Sequence, residues 1–172
     1  ATGGAFVPFD ASYYVSTYIG VTDVANPVGS WSGDMLEHYT LHGAAQNFNP
    51  NAWFDAGFYR GRYPDAAGLS GADALVHYAK YGVNEGRAGS AALTNFNAAR
   101  YLSENPDVVP YVEGNLDDFG GSMSNGALAH YVKFGAGEQR LAYDLGGNLL
   151  PFSLTPESST IAGVAADGVT TV

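Results

Sequence analysis

The chain has 172 residues, 46% of them hydrophobic, with 17 acidic against 7 basic side chains for a net charge of −10. The apolar content argues against disorder, and the acidic balance makes phosphate backbones and anionic membranes poor partners. The absence of cysteine excludes disulfides and thiolate zinc sites, and no apolar run reaches the ~18–20 residues of a membrane span.

In chain order, residues 1–8 form an arm outside any pattern, and then the sequence repeats itself. Three segments open on Phe, Asp or Asn, Ala: Phe9-Asp10-Ala11, Phe54-Asp55-Ala56 and Phe96-Asn97-Ala98. Tyr14, Tyr59 and Tyr101 each stand five residues after the Phe. Tyr18-Ile19-Gly20, Tyr63-Pro64-Asp65 and Asn105-Pro106-Asp107 follow. After a loop of variable length comes Leu-x-His-Tyr, at Leu36 to Tyr39, Leu75 to Tyr78 and Leu128 to Tyr131. Gly43, Gly82 and Gly135 lie five residues beyond His38, His77 and His130. Each segment closes on a third block: Gln46-Asn47-Phe48, Glu85-Gly86-Arg87 or Glu138-Gln139-Arg140. The repeats span 9–53, 54–95 and 96–143, and the loop is longest in the third, around Glu113 to Asn125.

Each block has a physical reading. Asp10, Asp55 and Asn97 are helix N-caps, whose side-chain oxygens accept the free N–H groups of a first turn. Phe96 with Tyr101, and its counterparts in the other two segments, has the spacing of a hydrophobic staple. Tyr-Pro or Asn-Pro ends this first helix, because the residue before Pro avoids the α region. Leu and Tyr three apart share a face of a second helix, and the Gly five after His is expected as a left-handed cap at its end. The expected fold is all-α: three tandem helix-loop-helix repeats stacked around a shared core, since such short helices are marginal alone. An arm (1–8) and an extended tail (144–172) flank it, with strand-like character at 159–164 and 168–172.

This text resembles the F-D-x-x-Y-Y…N-P-D-V…L-x-H-Y…G-x-x-E-G-R repeats of secreted bacterial proteins. Those repeats accompany haemolysin-type calcium-binding repeats and surface-layer-like proteins. The resemblance covers about residues 9–143 and is best in Phe96 to Arg140 and Phe54 to Arg87. The first segment departs, with Ile19-Gly20 for Pro-Asp and Gln46-Asn47-Phe48 for Glu-Gly-Arg. The resemblance implies a secreted or cell-surface location and the role of a module, with no chemistry. The composition, rich in Gly (23) and Tyr (12) and with lysine only at Lys80 and Lys133, agrees with such a location. A chain that starts without Met and shows no signal peptide is expected to be a processed product or a piece of a longer polypeptide.

Several positions are candidates for chemistry. His38, His77 and His130 could form a ladder of metal ligands, but equivalent positions one repeat apart cannot share an ion through ~2.0–2.1 Å bonds; a repeated structural hydrogen bond is the favoured reading. Arg87 and Arg140, with Glu85 and Glu138, are expected to lock one repeat onto the next. Asp65, Asp107, Asp117 and Asp118 are the weak calcium candidates; no EF-hand or Gly-rich nonapeptide accompanies them, and for Asp65 and Asp107 a capping role after the Pro is favoured. Trp31, in the Gly-Ser loop Gly29 to Gly33, is the candidate surface contact. No Gly-x-Ser-x-Gly, His-Glu-x-x-His or phosphate-loop motif is present. The expected function is therefore a non-catalytic surface or assembly module, with a second copy or another surface protein as partner and no cofactor unless calcium. The alternatives are a carbohydrate-binding module that takes glycans or, less favoured, a cell-wall enzyme.

Overall fold

The computed structural model describes residues 9–151. The arm at 1–8 and the strand-like stretches 159–164 and 168–172 lie outside the described residues. Among the described residues seven α-helices run in order: α1 Ala11–Tyr18, α2 Met35–His38, α3 Ala56–Arg62, α4 Gly71–His77, α5 Ala98–Glu104, α6 Val108–Gly114 and α7 Met123–His130. Short 3-10 turns join them, and among the described residues β structure is limited to isolated bridges. The fold is all-helical, and it divides into two compact units between Ala91 and Ala92.

The first helix of each segment forms as its cap dictates. Asp10 accepts from the Tyr13 N–H at 2.9 Å, Asp55 from Phe58 at 3.0 Å and Asn97 from Arg100 at 3.0 Å. The rings ahead of the caps staple onto the first turn, with Phe9–Tyr14, Phe54–Tyr59 and Phe96–Tyr101 centroids at 5.2, 5.5 and 5.5 Å. Tyr63 and Asn105, each ahead of a Pro, leave the helical region with φ of −120° and −131°. Second helices begin on Ser70 and Ser122, whose hydroxyls accept from Asp73 and Asn125 N–H groups at 3.0 and 3.1 Å.

In the first unit the two segments meet where α4 starts: a Cβ on Gly71 would stand 3.1 Å from the Ala44 Cβ, so a bare glycine lets the backbones close. Phe54, Tyr14, Tyr39, Tyr59 and Tyr78, all 1% exposed or less, fill this unit's core. The second unit buries Tyr101, Val108, Val112, Phe119, Leu128 and Tyr131.

Two features depart from the sequence reading. The long loop of the third segment holds a helix, α6, with Pro110 in its first turn, where a missing N–H costs nothing. Residues 144–150, expected to start an extended tail, make a turn closed by Asp144, whose Oδ1 accepts from the Gly146 and Asn148 N–H groups at 2.9 Å each. Leu150 is buried at its end.

Candidate functional site

The recurring residues converge on one arrangement in each segment. Tyr14 Oη lies 2.8 Å from His38 Nδ1, Tyr59 Oη 2.8 Å from His77 Nδ1, and Tyr101 Oη 2.9 Å from His130 Nδ1. In the first segment the direction is readable. His38 Nε2 faces the Asn26 carbonyl at 2.7 Å, which only accepts, so the proton of a neutral ring sits on Nε2 and Nδ1 accepts from the Tyr14 hydroxyl. A second tyrosine stands edge-on to the first: Tyr14–Tyr39 at 88°, Tyr59–Tyr78 at 79° and Tyr101–Tyr131 at 80°, the favoured edge-to-face geometry. Burial pushes Tyr59 up to about 12 and Tyr14, Tyr39, Tyr78 and Tyr101 higher still. The Tyr39 and Tyr78 hydroxyls are buried with no hydrogen-bond partner.

Gly43, Gly82 and Gly135 are not left-handed caps. Gly43 is right-handed helical, with φ −63°, and neither Gly82 nor Gly135 has positive φ. A Cβ on these glycines would stand 1.9, 2.3 and 2.1 Å from the Tyr14, Tyr59 and Tyr101 hydroxyl oxygens. Glycine is required there because the tyrosine hydroxyl lies against its Cα on the way to the histidine. The chain around it widens into π-helical turns, Tyr39–Gly43, Tyr78–Gly82 and Tyr131–Gly135. The left-handed residue comes four positions later, at Asn47 (φ 64°), Gly86 (76°) and Gln139 (64°), followed by a backbone bond from Phe48, Arg87 or Arg140 to the glycine carbonyl at 2.9–3.0 Å.

The arginines clasp within a segment, not between segments as the sequence suggested. Arg87 donates to both Asp65 oxygens at 2.8 Å, and Arg140 to both Asp107 oxygens at 2.9 and 2.7 Å. Glu85 and Glu138 pair with the same guanidinium groups at 2.9 and 2.7 Å. The bonded arginines hold the carboxyls of Asp65 and Asp107 below the usual carboxylate range. This corrects the capping expectation: Asp107 makes no side-chain bond to the helix it precedes, the turn that opens on Pro64 has Tyr63 at its cap with no side-chain bond, and both carboxylates face a guanidinium fork. Asp117 and Asp118 line an open depression of about 340 Å³ with Glu113, Gly114, Asn115 and Leu116. Among the described residues no three His, Asp or Glu side chains are grouped to hold a metal ion.

The sequence carried a signal for these clasps. Asp65 and Arg87 recur together as Asp107 and Arg140, and the first segment loses both, with Gly20 and Phe48 in their places. There Phe48 stacks flat on Tyr18, 4.0 Å apart and 3° from parallel. In the second segment Arg87 lies 4.6 Å over the Tyr63 ring, and in the third Arg140 donates to Asn105 at 2.9 Å. One contact is thus made with three chemistries.

The histidines differ in their second neighbour. His77 Nε2 lies 3.9 Å from Asp65. His130 sits against Tyr111 and Phe134, with ring centroids at 5.3 and 5.5 Å, and burial, helped by Arg140, lowers its pKa. Trp31 is half-buried: it stands edge-on to His38 and His42 at 5.2 Å each and donates to the Asp34 carbonyl at 3.1 Å. It covers a histidine pair and is only partly available as a surface contact. Leu36 is 41% exposed, whereas its counterparts Leu75 and Leu128 are 6% exposed. A general acid or base must reach a substrate atom, and Tyr14, Tyr59 and Tyr101 are at most 1% exposed. Compared with protein-family models, curated proteins and solved structures, the chain matches none at a significant level.

Proposed function

We propose that this chain is a non-catalytic structural module, made of three tandem copies of one helical building unit stacked around a shared core, that presents surface for self-association outside a bacterial cell. One observation carries the reading: the residue types that recur and could do chemistry are engaged in local structure. The histidines bond tyrosine hydroxyls in all three segments, and Asp65 and Asp107 are held by arginines. What varies between segments is the outer surface, which includes Leu41, Val76 and Tyr81 at 53–59% exposure. The extracellular setting rests on the repeat text and on the acidic, lysine-poor composition.

Multi-angle light scattering on the purified chain tests the assembly reading. The expected mass rises above the 18.0 kDa of one chain as concentration increases. A constant mass of one chain across micromolar to millimolar concentration would remove it.

A further inference from the structure

The third segment supplies an internal template for what covers a second helix. Gly126 and Ala129 of α7 share one face by spacing, Lys133 follows in the π-helical turn Tyr131–Gly135, and α6 packs on α7. Val112 Cγ1 and Phe119 lie 2.3 and 2.8 Å from where a Cβ on Gly126 would stand. Ala129 is fully buried, Lys133 is half-buried, and Asp118 is near enough to act on it electrostatically. The cover on this face is therefore the branched side chain of Val112 and the ring of Phe119, with the Asp118 charge acting on the lysine.

The same face of α4 is bare. Asp73 and Val76 of α4 and Lys80 of the π-helical turn after it occupy the matching positions and are exposed, Val76 at 53%; Tyr81 beside them is 53% exposed, as its counterpart Phe134 is at 44%. The difference is loop length: residues 63–70 join α3 to α4, while residues 105–122 join α5 to α7 and carry α6. The first segment presents the complementary chemistry on its own second helix and the π-helical turn after it. Leu36 and Leu41 are 41% and 59% exposed around an exposed Glu37. Among the described residues neither Glu37 nor Lys80 makes an ion pair.

We propose that the bare face of α4, with Val76, Tyr81 and Lys80, docks the α2 turn of a second copy, with Leu36 and Leu41 taking the place of α6 and Glu37 that of Asp118. The contact rests on the assembly reading above and gives it a geometry. Two different patches meet: a one-way contact adds copies head to tail into rings or filaments, and a reciprocal one closes a two-fold dimer. Burial of the four apolar side chains drives it, and the Glu37–Lys80 pair sets register and orientation.

Charge exchange tests it by sedimentation velocity at low salt. K80E and E37K each place like charges at the contact, and each is expected to weaken association at least about tenfold, because such juxtapositions cost several kcal/mol. The double variant K80E/E37K restores opposite charges between copies and is expected to regain most of the lost association, which also shows that the fold survives. V76E weakens association without rescue by either change. Wild-type-like association of K80E, E37K and V76E would overturn this interface and leave the assembly reading standing. A wild-type chain that stays at 18.0 kDa would end both.

Discussion

A buried tyrosine hydroxyl can be worth keeping or worth removing, depending on whether it has a partner. Tyr14 and Tyr101 bond buried histidines, so Tyr14→Phe and Tyr101→Phe leave a buried ring nitrogen without its partner and are expected to cost about 1–3 kcal/mol in urea denaturation. Tyr59→Phe costs less, because His77 is partly exposed and water can substitute. Tyr39 and Tyr78 carry buried hydroxyls with no partner, so Tyr39→Phe and Tyr78→Phe are expected to be neutral or stabilising. A loss as large as that of Tyr14→Phe would contradict the hydrogen-bond assignment. Acid acts in two windows. His130 has a lowered folded pKa, so its contribution is complete above the unfolded value of about 6.5 and is lost as pH falls from there toward the folded value. Asp65 and Asp107 are depressed; their contribution is present above about 3.9 and is lost as pH falls through their folded values. Urea midpoints at stepped pH should fall in both windows, and His130→Asn should flatten only the upper one.

At the scale of elements, the legible parts of the sequence were those fixed by near neighbours. The Asp10, Asp55 and Asn97 caps and the Phe–Tyr staples act over five residues and stand as the sequence reads them. The glycine role was not legible, because what presses on Gly43, Gly82 and Gly135 is a hydroxyl from a helix distant in sequence. A π-helical turn ends at each of these glycines, and the left-handed position falls four residues later, at Asn47, Gly86 and Gln139. Helix α6 lies in the segment read as the long loop of the third repeat, and its Pro110 sits in the first turn, where it does not break the helix. The arginine clasps were misread because Glu85 and Glu138 are nearer in sequence than Asp65 and Asp107. Two predictions belong here. Gln139→Gly relieves a side chain at φ 64° and is expected to stabilise by about 0.5–1 kcal/mol, while Gly86→Ala, at φ 76°, destabilises by at least as much; equal midpoints for the pair would contradict this. Arg87→Lys keeps the charge but loses the two-pronged bond to Asp65, so the thermal midpoint is expected to fall, and an unchanged midpoint would show that the fork adds nothing beyond charge.

For the whole molecule, one construction made three times is the claim from which the rest follows. It leaves the histidines and carboxylates of the repeat engaged in the fold, and the differences between segments, above all the exposed Val76 and the Leu36–Leu41 turn, are the surface that the proposed self-association would use. Double-mutant cycles pairing each tyrosine with its glycine address the claim directly: Tyr14 with Gly43, Tyr59 with Gly82 and Tyr101 with Gly135, each as Tyr→Phe, Gly→Ala and both. Each Gly→Ala is expected to cost about 1–3 kcal/mol by overpacking. Deleting the hydroxyl makes room for the new methyl group, so each double variant should lose less than the sum of its singles, with a coupling of about 0.5–3 kcal/mol in all three segments. Strict additivity in any segment, or a harmless Gly→Ala, would contradict it.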